Sequence, residues 1–469
     1  METTALSRLF ARSSSRAMAP EPSVAGPASR PTIARTLAWL VALASLGLVA
    51  CGDDDADPID QGPADASGSM DAGGDMNAGE DMDGDDMPDG GGDEEPDYFV
   101  VCGLTFSPEG PSGYAAVVPS IDAGVTVDLE TALPIPGLGA CFGADGFLFV
   151  PQGEAPEIEK FTVTSSGDFE SLGVVSFMGV GVPAIDFRNL VVVSETVAIY
   201  PDAVTQRLVV WNPDTLAITG TISLEAVAAE APAGRPDVSF GRPVVRPDGT
   251  VVVVGSYGDG EGPSAPFFAA FVDLAGETVT SVAVATGCGN GGAVGYPDGS
   301  VYFANNSFAA SSGRLGLPGS FAPCLRRIAP GETRFDEGYE LDLAAVTGAA
   351  ASADLVPGPG TSAFTLGYDE EVVPVTEMTS LRVLQNTPAW RLYRIEDIAS
   401  PAEPAPVQVA TPPGAGFLVP YDVGEDRVLL GSLAADLSGT AIIDVTDPAS
   451  PETLLSAPSI LVSVVPQTE

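Results

Sequence analysis

An all-β fold is predicted for most of this chain by three observations. From Tyr98 onward the sequence breaks into short apolar runs of strand type, separated by turn residues. Glycine and proline are abundant, at 54 and 42 among 469 residues, which favours many turns and short strands. A turn-and-strand pattern also recurs, with Asp145-Gly146, Asp248-Gly249 and Asp298-Gly299 at equivalent places and a weaker copy around Ser194-Glu195-Thr196. Its period of about 50 residues is the size of a four-stranded blade, and so predicts a β-propeller.

Seven units are expected, covering about 98–137, 138–178, 179–227, 238–287, 288–346, 350–410 and 414–465. A lone blade leaves both its faces in water. Stacking blades radially buries those faces and leaves short, protected edges. Two packed β domains are the alternative arrangement. The terminal run Ile460-Leu461-Val462-Ser463-Val464-Val465 is placed to pair with the first blade and close the ring. Only Leu224 to Ala231 and Leu341 to Ala353 read as short helices, and neither carries a sustained apolar stripe of helical period.

The first 97 residues are of another kind. Residues 1–50 read as a lipoprotein signal peptide. Arg8, Arg12, Arg16, Arg30 and Arg35 precede an apolar run from Leu37 to Leu48, and Met18 is an alternative start. No Arg-Arg pair occurs, which favours the general secretory route. The uncharged span Thr36 to Gly52 has 17 residues, short of the ~20 that a spanning helix needs. Leu48-Val49-Ala50-Cys51 has the form of a lipobox, so Cys51 is expected to become the lipidated first residue. Gly52, in place of Asp, favours the outer membrane. Residues 51–97 form an acidic tether, with 18 acids and no base between 52 and 97. It cannot bury enough apolar surface to offset its ordering entropy, so disorder is expected. Asp81-Met82-Asp83-Gly84-Asp85-Asp86 faintly suggests a calcium loop, but Asp86 stands where that loop needs glycine.

Charge excludes some functions. The chain has 19 basic and 64 acidic residues, and residues 98–469 carry a net charge of −30. That field disfavours nucleic acid. Histidine is absent, which removes the commonest general base and metal ligand. Lys160 is the only lysine and the only Schiff-base candidate. The chain is therefore expected not to be an enzyme and to need no cofactor or metal.

Cys102, Cys141, Cys288 and Cys324 are an even set in an exported chain, and are expected to form two disulfides. Three pairings are open. The sequence-local one, Cys102–Cys141 with Cys288–Cys324, closes loops of about 40 residues, each worth ~3–4 kcal/mol in the chain-entropy model. Gly287-Cys288-Gly289-Asn290-Gly291-Gly292 lacks the Lys-Ser/Thr ending of a phosphate loop and reads as a loop entering a blade. The carboxylates are too many for any pair to stand out. Arg235, Arg242 and Arg246, with Tyr257 and Trp211, are the binding candidates, since bases are scarce on so acidic a body. Arg242 and Arg246, each followed by proline, are the expected ligand residues, and pairing with carboxylates such as Asp248 is the competing role.

Trp211-Asn212-Pro213-Asp214-Thr215-Leu216-Ala217-Ile218-Thr219-Gly220-Thr221-Ile222 and Gln152-Gly153-Glu154-Ala155-Pro156-Glu157-Ile158-Glu159-Lys160-Phe161 resemble stretches of a family of myxobacterial lipoproteins. That family includes the iron-transport protein associated with myxochelin siderophore genes. The resemblance runs over much of 98–469 and rests on strand and turn motifs, so no site residue carries over. It implies a role accessory to ferric-siderophore uptake. The expected partners are the membrane through the lipid anchor and a ferric siderophore or an outer-membrane receptor. Two alternatives stand beside this: a surface adhesion or protein-interaction scaffold, and a propeller hydrolase or lyase with a carboxylate-bound cation.

Overall fold

The computed structural model describes residues 96–468, except 108–109, 136–139, 153–154, 259–265, 404, 422, 424–426 and 435–437. Cys51, the signal peptide, the acidic tether and the Asp81–Asp86 stretch lie outside the described residues. The described chain forms seven antiparallel sheets, each with four strand positions, arranged as a seven-bladed β-propeller. The innermost strands of blades 2 to 7 are Phe142–Ala144, Val191–Ser194, Asp237–Phe240 continued by Val244–Val245, Gly291–Gly295, Ser352–Pro357 and Val419–Tyr421. The sequence units match these blades, apart from the last few residues.

Those last residues close the ring. Ile460–Gln467 pairs antiparallel with Tyr98–Ser107 and supplies the innermost strand of blade 1, whose other three strands come from the start of the domain. Tyr98 pairs with Gln467 and Leu104 with Ile460, with a bulge at Cys102/Gly103. A side chain at Gly103 would press its Cβ to 2.6 Å from the Ile460 carbonyl oxygen, so this junction requires glycine. The contact joins the two ends of the domain in one sheet, whose edges are Ile460–Gln467 inside and Leu133–Ile135 outside.

The turns explain the repeat. Asp145 and Gly146 have φ of 50° and 73°, as a two-residue hairpin turn of mirror-image type requires. Arg246-Pro247-Asp248-Gly249 and Tyr296-Pro297-Asp298-Gly299 build another turn twice. In each, the glycine N–H returns to the first carbonyl, at 2.9 and 2.8 Å. The aspartate accepts from the N–H two residues on, Thr250 at 2.9 Å and Ser300 at 2.8 Å. Proline presets the first corner, and glycine takes the positive φ, 79° and 85°.

Strand alternation then divides the core among the seams. In the second strand of blade 4, Val251 and Val253 pack toward blade 3, and Val252 and Val254 toward blade 5. Both faces are covered, so the strand reads as a continuous apolar run. Each of the seven seams holds one apolar cluster of described residues. Two helices fall where the sequence suggested them: α1 (Glu225–Ala229) and, after α2 (Ser307–Arg314), α3 (Leu343–Thr347). The helices α2 and α4 (Leu381–Asn386) were not legible. They are set by their caps, since Asn306 accepts from the Ala309 N–H at 2.9 Å and Ser380 from the Val383 N–H at 3.3 Å.

Candidate functional site

Strand direction fixes which loops share an end. In an antiparallel four-stranded blade, the loop between strands two and three lies at the same end as the crossing to the next blade. We call this the crossing end. The longest described insertions fall there, in two neighbouring blades: 306–323 in blade 5, bearing α2, and 369–389 in blade 6, bearing α4. The helix α3 joins them from the crossing between these blades, and α2 packs on α4.

These insertions are held firmly. Arg314 Nε donates to Glu370 at 2.5 Å, tying α2 to the blade 6 insertion. Arg391 Nε donates to Asp369 at 2.7 Å, and this holds the Asp369 carboxyl below its usual range. Cys288–Cys324 staples the end of blade 4 to the end of the blade 5 insertion, with Cα atoms 5.8 Å apart. Buried beside it, Asn305 accepts from the Cys324 N–H at 2.5 Å and donates to the Gly289 carbonyl. A Cβ at Gly291 would overlap the Ala304 carbonyl oxygen, so the Gly-rich stretch is a close-packed crossing into blade 5. Cys102–Cys141, with Cα atoms 6.0 Å apart, joins blade 1 to the entry of blade 2. Both disulfides are thus the sequence-local pair. Upon this base the blade 6 insertion exposes Met378, Val383 and Val372, with Met378 91% exposed.

The expected ligand arginines are placed differently from one another. Arg246 is buried beside the hairpin turn of blade 4, at the end opposite the crossing. It donates to the carbonyls of Glu332 at 2.8 Å and Ala329 at 3.1 Å in blade 5, and lies over the Phe271 ring. Burial lowers its pKa and Asp248 partly offsets this. Arg242 falls at the break in the innermost strand of blade 4 and is half-buried. Four residues of extended chain separate the two by about 13 Å. Arg235 lies 5.7 Å from the Phe321 ring of the blade 5 insertion, which brings it to the crossing end. Trp211 is core, edge-on to Phe149 and Phe177. Tyr257 donates to the Val227 carbonyl at 2.7 Å and fastens α1. Lys160 is buried over the Phe147 ring at 3.8 Å and donates to the Pro213 carbonyl, so its ammonium is spent on packing.

One residue that sequence reasoning passed over stands out. Asp354, third in the innermost strand of blade 6, has φ of 59°, a left-handed conformation uncommon outside glycine. The strand bulges here, with its register shifting between Ala353 and Val356. The Thr365 hydroxyl lies 2.9 Å from the carbonyl oxygens of both Ala353 and Asp354. Burial pushes the pKa of the Asp354 carboxyl up to about 7, and the nearby Leu418 backbone N–H offsets this in part. Its sequence signal was its isolation, as the only charged residue from Leu343 to Tyr368. Among the described residues no group of three acids or cysteines is placed to hold a metal ion, and no helix is long and apolar enough to cross a membrane.

No protein-family model matches the sequence, and no curated protein matches it. Solved structures do. A protein from Lactobacillus plantarum is 11% identical with a TM-score of 0.49, covering 79% of this chain and 98% of its own. The periplasmic gluconolactonase of Pseudomonas aeruginosa is 13% identical with a TM-score of 0.46, covering 78% and 98%. A puromycin hydrolase mutant is 13% identical with a TM-score of 0.46, covering 76% of this chain and 52% of its own. At such identity the likeness is one of fold. The expectation that the chain is not an enzyme is not upheld: the structures of similar fold include a gluconolactonase and a puromycin hydrolase, so nothing in the fold excludes catalysis. The missing histidine removes imidazole chemistry only.

Proposed function

We propose that the chain is a lipid-anchored cell-envelope binding protein, held by Cys51 and its acidic tether, that captures its ligand at the crossing end of blades 4 to 6. The observation that carries this reading is the gathering of pinned insertions, 306–323 and 369–389, at one end of two adjacent blades. Loops fixed on a rigid scaffold are where binding residues concentrate. A ferric siderophore is the ligand implied by the myxobacterial resemblance. Such a catecholate complex is anionic, and a body of net charge −30 repels it unless local bases offset the field. Arg382, exposed on α4, and Arg242 have no ion-pair partner among the described residues, which leaves both guanidinium groups for an anion.

The test is calorimetric titration with ferric myxochelin of wild type and of an Arg242→Ala/Arg382→Ala double variant, alongside thermal melts. Binding by wild type, weakened about tenfold or more in a variant that melts normally, supports the site. Absence of binding by wild type removes the siderophore. Mass spectrometry of the mature N-terminus tests the anchor, and an unmodified Cys51 removes it. The exposed Met378, Val383 and Val372 favour a second reading, a protein-interaction platform at the same end. Under that reading, Met378→Glu abolishes co-purification of a receptor that the wild type retains.

A further inference from the structure

Between blades 6 and 7 the seam leaves a gap of ≈ 40 Å³. Protein interiors hold few voids larger than one water, and this one has room for about three waters or a short alkyl group. Its floor is buried and apolar, with Trp390 and Leu392 from blade 6 and Leu430, Leu433 and Ile443 from blade 7. Its mouth is made by Thr411 and Phe417 of the crossing 411–418 and by Ser432 of blade 7, all half-buried. Gly414, Ala415 and Gly431 line it without a side chain long enough to fill it.

Hydrogen bonds outside the gap keep it from collapsing. The Trp390 N–H donates to the Gly414 carbonyl at 3.0 Å, and the Gly414 N–H returns to the Trp390 carbonyl at 2.9 Å. The Gly416 N–H donates to the Gln385 carbonyl of α4 at 2.7 Å. Trp390 Nε1 donates to the Leu384 carbonyl at 3.0 Å, which fixes the indole plane. The crossing is thus tied to blade 6 and α4, and cannot settle onto blade 7 without breaking these bonds.

Two hydroxyls stand at the mouth. Neither the Thr411 nor the Ser432 hydroxyl has a hydrogen-bond partner among the described residues, and no wall of the gap is ionisable. An apolar floor with a few polar groups at one end is the pattern of small-molecule pockets. A charged ligand would shed its hydration here and meet no counter-charge, so the walls select an uncharged one.

We propose that this gap is a binding site for a small neutral molecule with a short alkyl tail and an oxygen at its other end, such as a short-chain alcohol. The tail lies against Trp390, Leu392 and Leu430, and the oxygen meets the Thr411 and Ser432 hydroxyls. The site lies one seam beyond the insertions proposed to take the anion, and stands or falls independently of them.

The test is fluorescence titration of the full chain with bromopropanol, whose bromine quenches a tryptophan that it touches. Trp390 walls the gap, whereas Trp211 is core between blades 2 and 3. Wild type should show quenching that saturates, with half-effect at about 1 mM, the affinity open to so small a ligand. Trp390→Phe should lose the saturable part. Thr411→Val with Ser432→Ala keeps the floor, and should weaken bromopropanol about tenfold while leaving bromopropane unchanged. Ala415→Leu fills the gap and should abolish saturation. Quenching that never saturates in wild type, that still saturates in Ala415→Leu, or that the hydroxyl variant leaves unchanged overturns the site. Where Ala415→Leu does not fold, crystals of wild type soaked with bromopropanol decide. A bromine peak between Trp390 and Leu430 supports the site, and a peak elsewhere, or none, overturns it.

Discussion

Replacing Asp354 by Asn should stabilise the fold at neutral pH and cost it a little stability in acid. The substitution keeps the size and shape of the side chain, and asparagine tolerates the left-handed conformation at φ 59° as well as aspartate does. What it removes is the charge. The folded carboxyl titrates near 7, against ~3.9 in an unfolded chain. Between these values the folded protein binds more protons than the unfolded one, so stability falls as pH rises. Below pH ~3.9 the group costs nothing, and above pH 7 the cost is constant. At 1.36 kcal/mol per unit the whole span is worth up to ~4 kcal/mol. The new amide N–H groups need partners and return ~1 kcal/mol of this. The expected gain is therefore about 3 kcal/mol at pH 8 and about 0.5 kcal/mol at pH 5, turning into a loss of about 1 kcal/mol at pH 3.5. Urea denaturation of both proteins at these pH values measures it. A variant equally stabilised or destabilised at all three would refute the reasoning, since a change independent of pH cannot come from a titrating group.

Other predictions follow from packing. Replacing Cys288 and Cys324 by serine should cost about 3–4 kcal/mol by releasing a closed loop of 36-residue separation, seen as a lower melting temperature that reductant no longer affects at that site. Arg246→Ala should cost about 2–4 kcal/mol, because the buried carbonyls of Ala329 and Glu332 lose their donor, while ferric myxochelin affinity stays unchanged. Truncation after Ser459 removes the innermost strand of blade 1 and exposes Val101 and Leu104. The truncated chain should aggregate or fail to give a cooperative melt, and rescue by an added peptide of residues 460–467 would show that the strand closes the ring.

The fold was legible because its determinants are local. Asp-Gly turns, strand-length apolar runs and a steady period each read directly from neighbouring residues, and even ring closure was visible as an unspent terminal strand. The disulfides were half-legible, since cysteine parity shows that bridges form while three pairings remain open. The site was less so. Arg242 and Arg246 are close in sequence, yet one lies at a strand break and the other is locked to the next blade by carbonyls 83 and 86 residues away. No sequence spacing encodes that. Asp354 could be noticed as a lone charge but not read as buried, because its burial is supplied by strands of blade 5 and helices outside its own blade. The helices α2 and α4 escaped because they are short, capped pieces, α2 held by the Arg314–Glu370 ion pair to another loop, with no apolar stripe to announce them.

The claim that binding occurs at the crossing end of blades 4 to 6 is tested most directly by hydrogen-exchange footprinting of the full chain with and without ferric myxochelin. The account predicts protection concentrated in 306–323 and 369–389, with the turns at 145–146, 247–249 and 297–299 unchanged. Protection confined to those turns, or no change anywhere at saturating ligand, would contradict it.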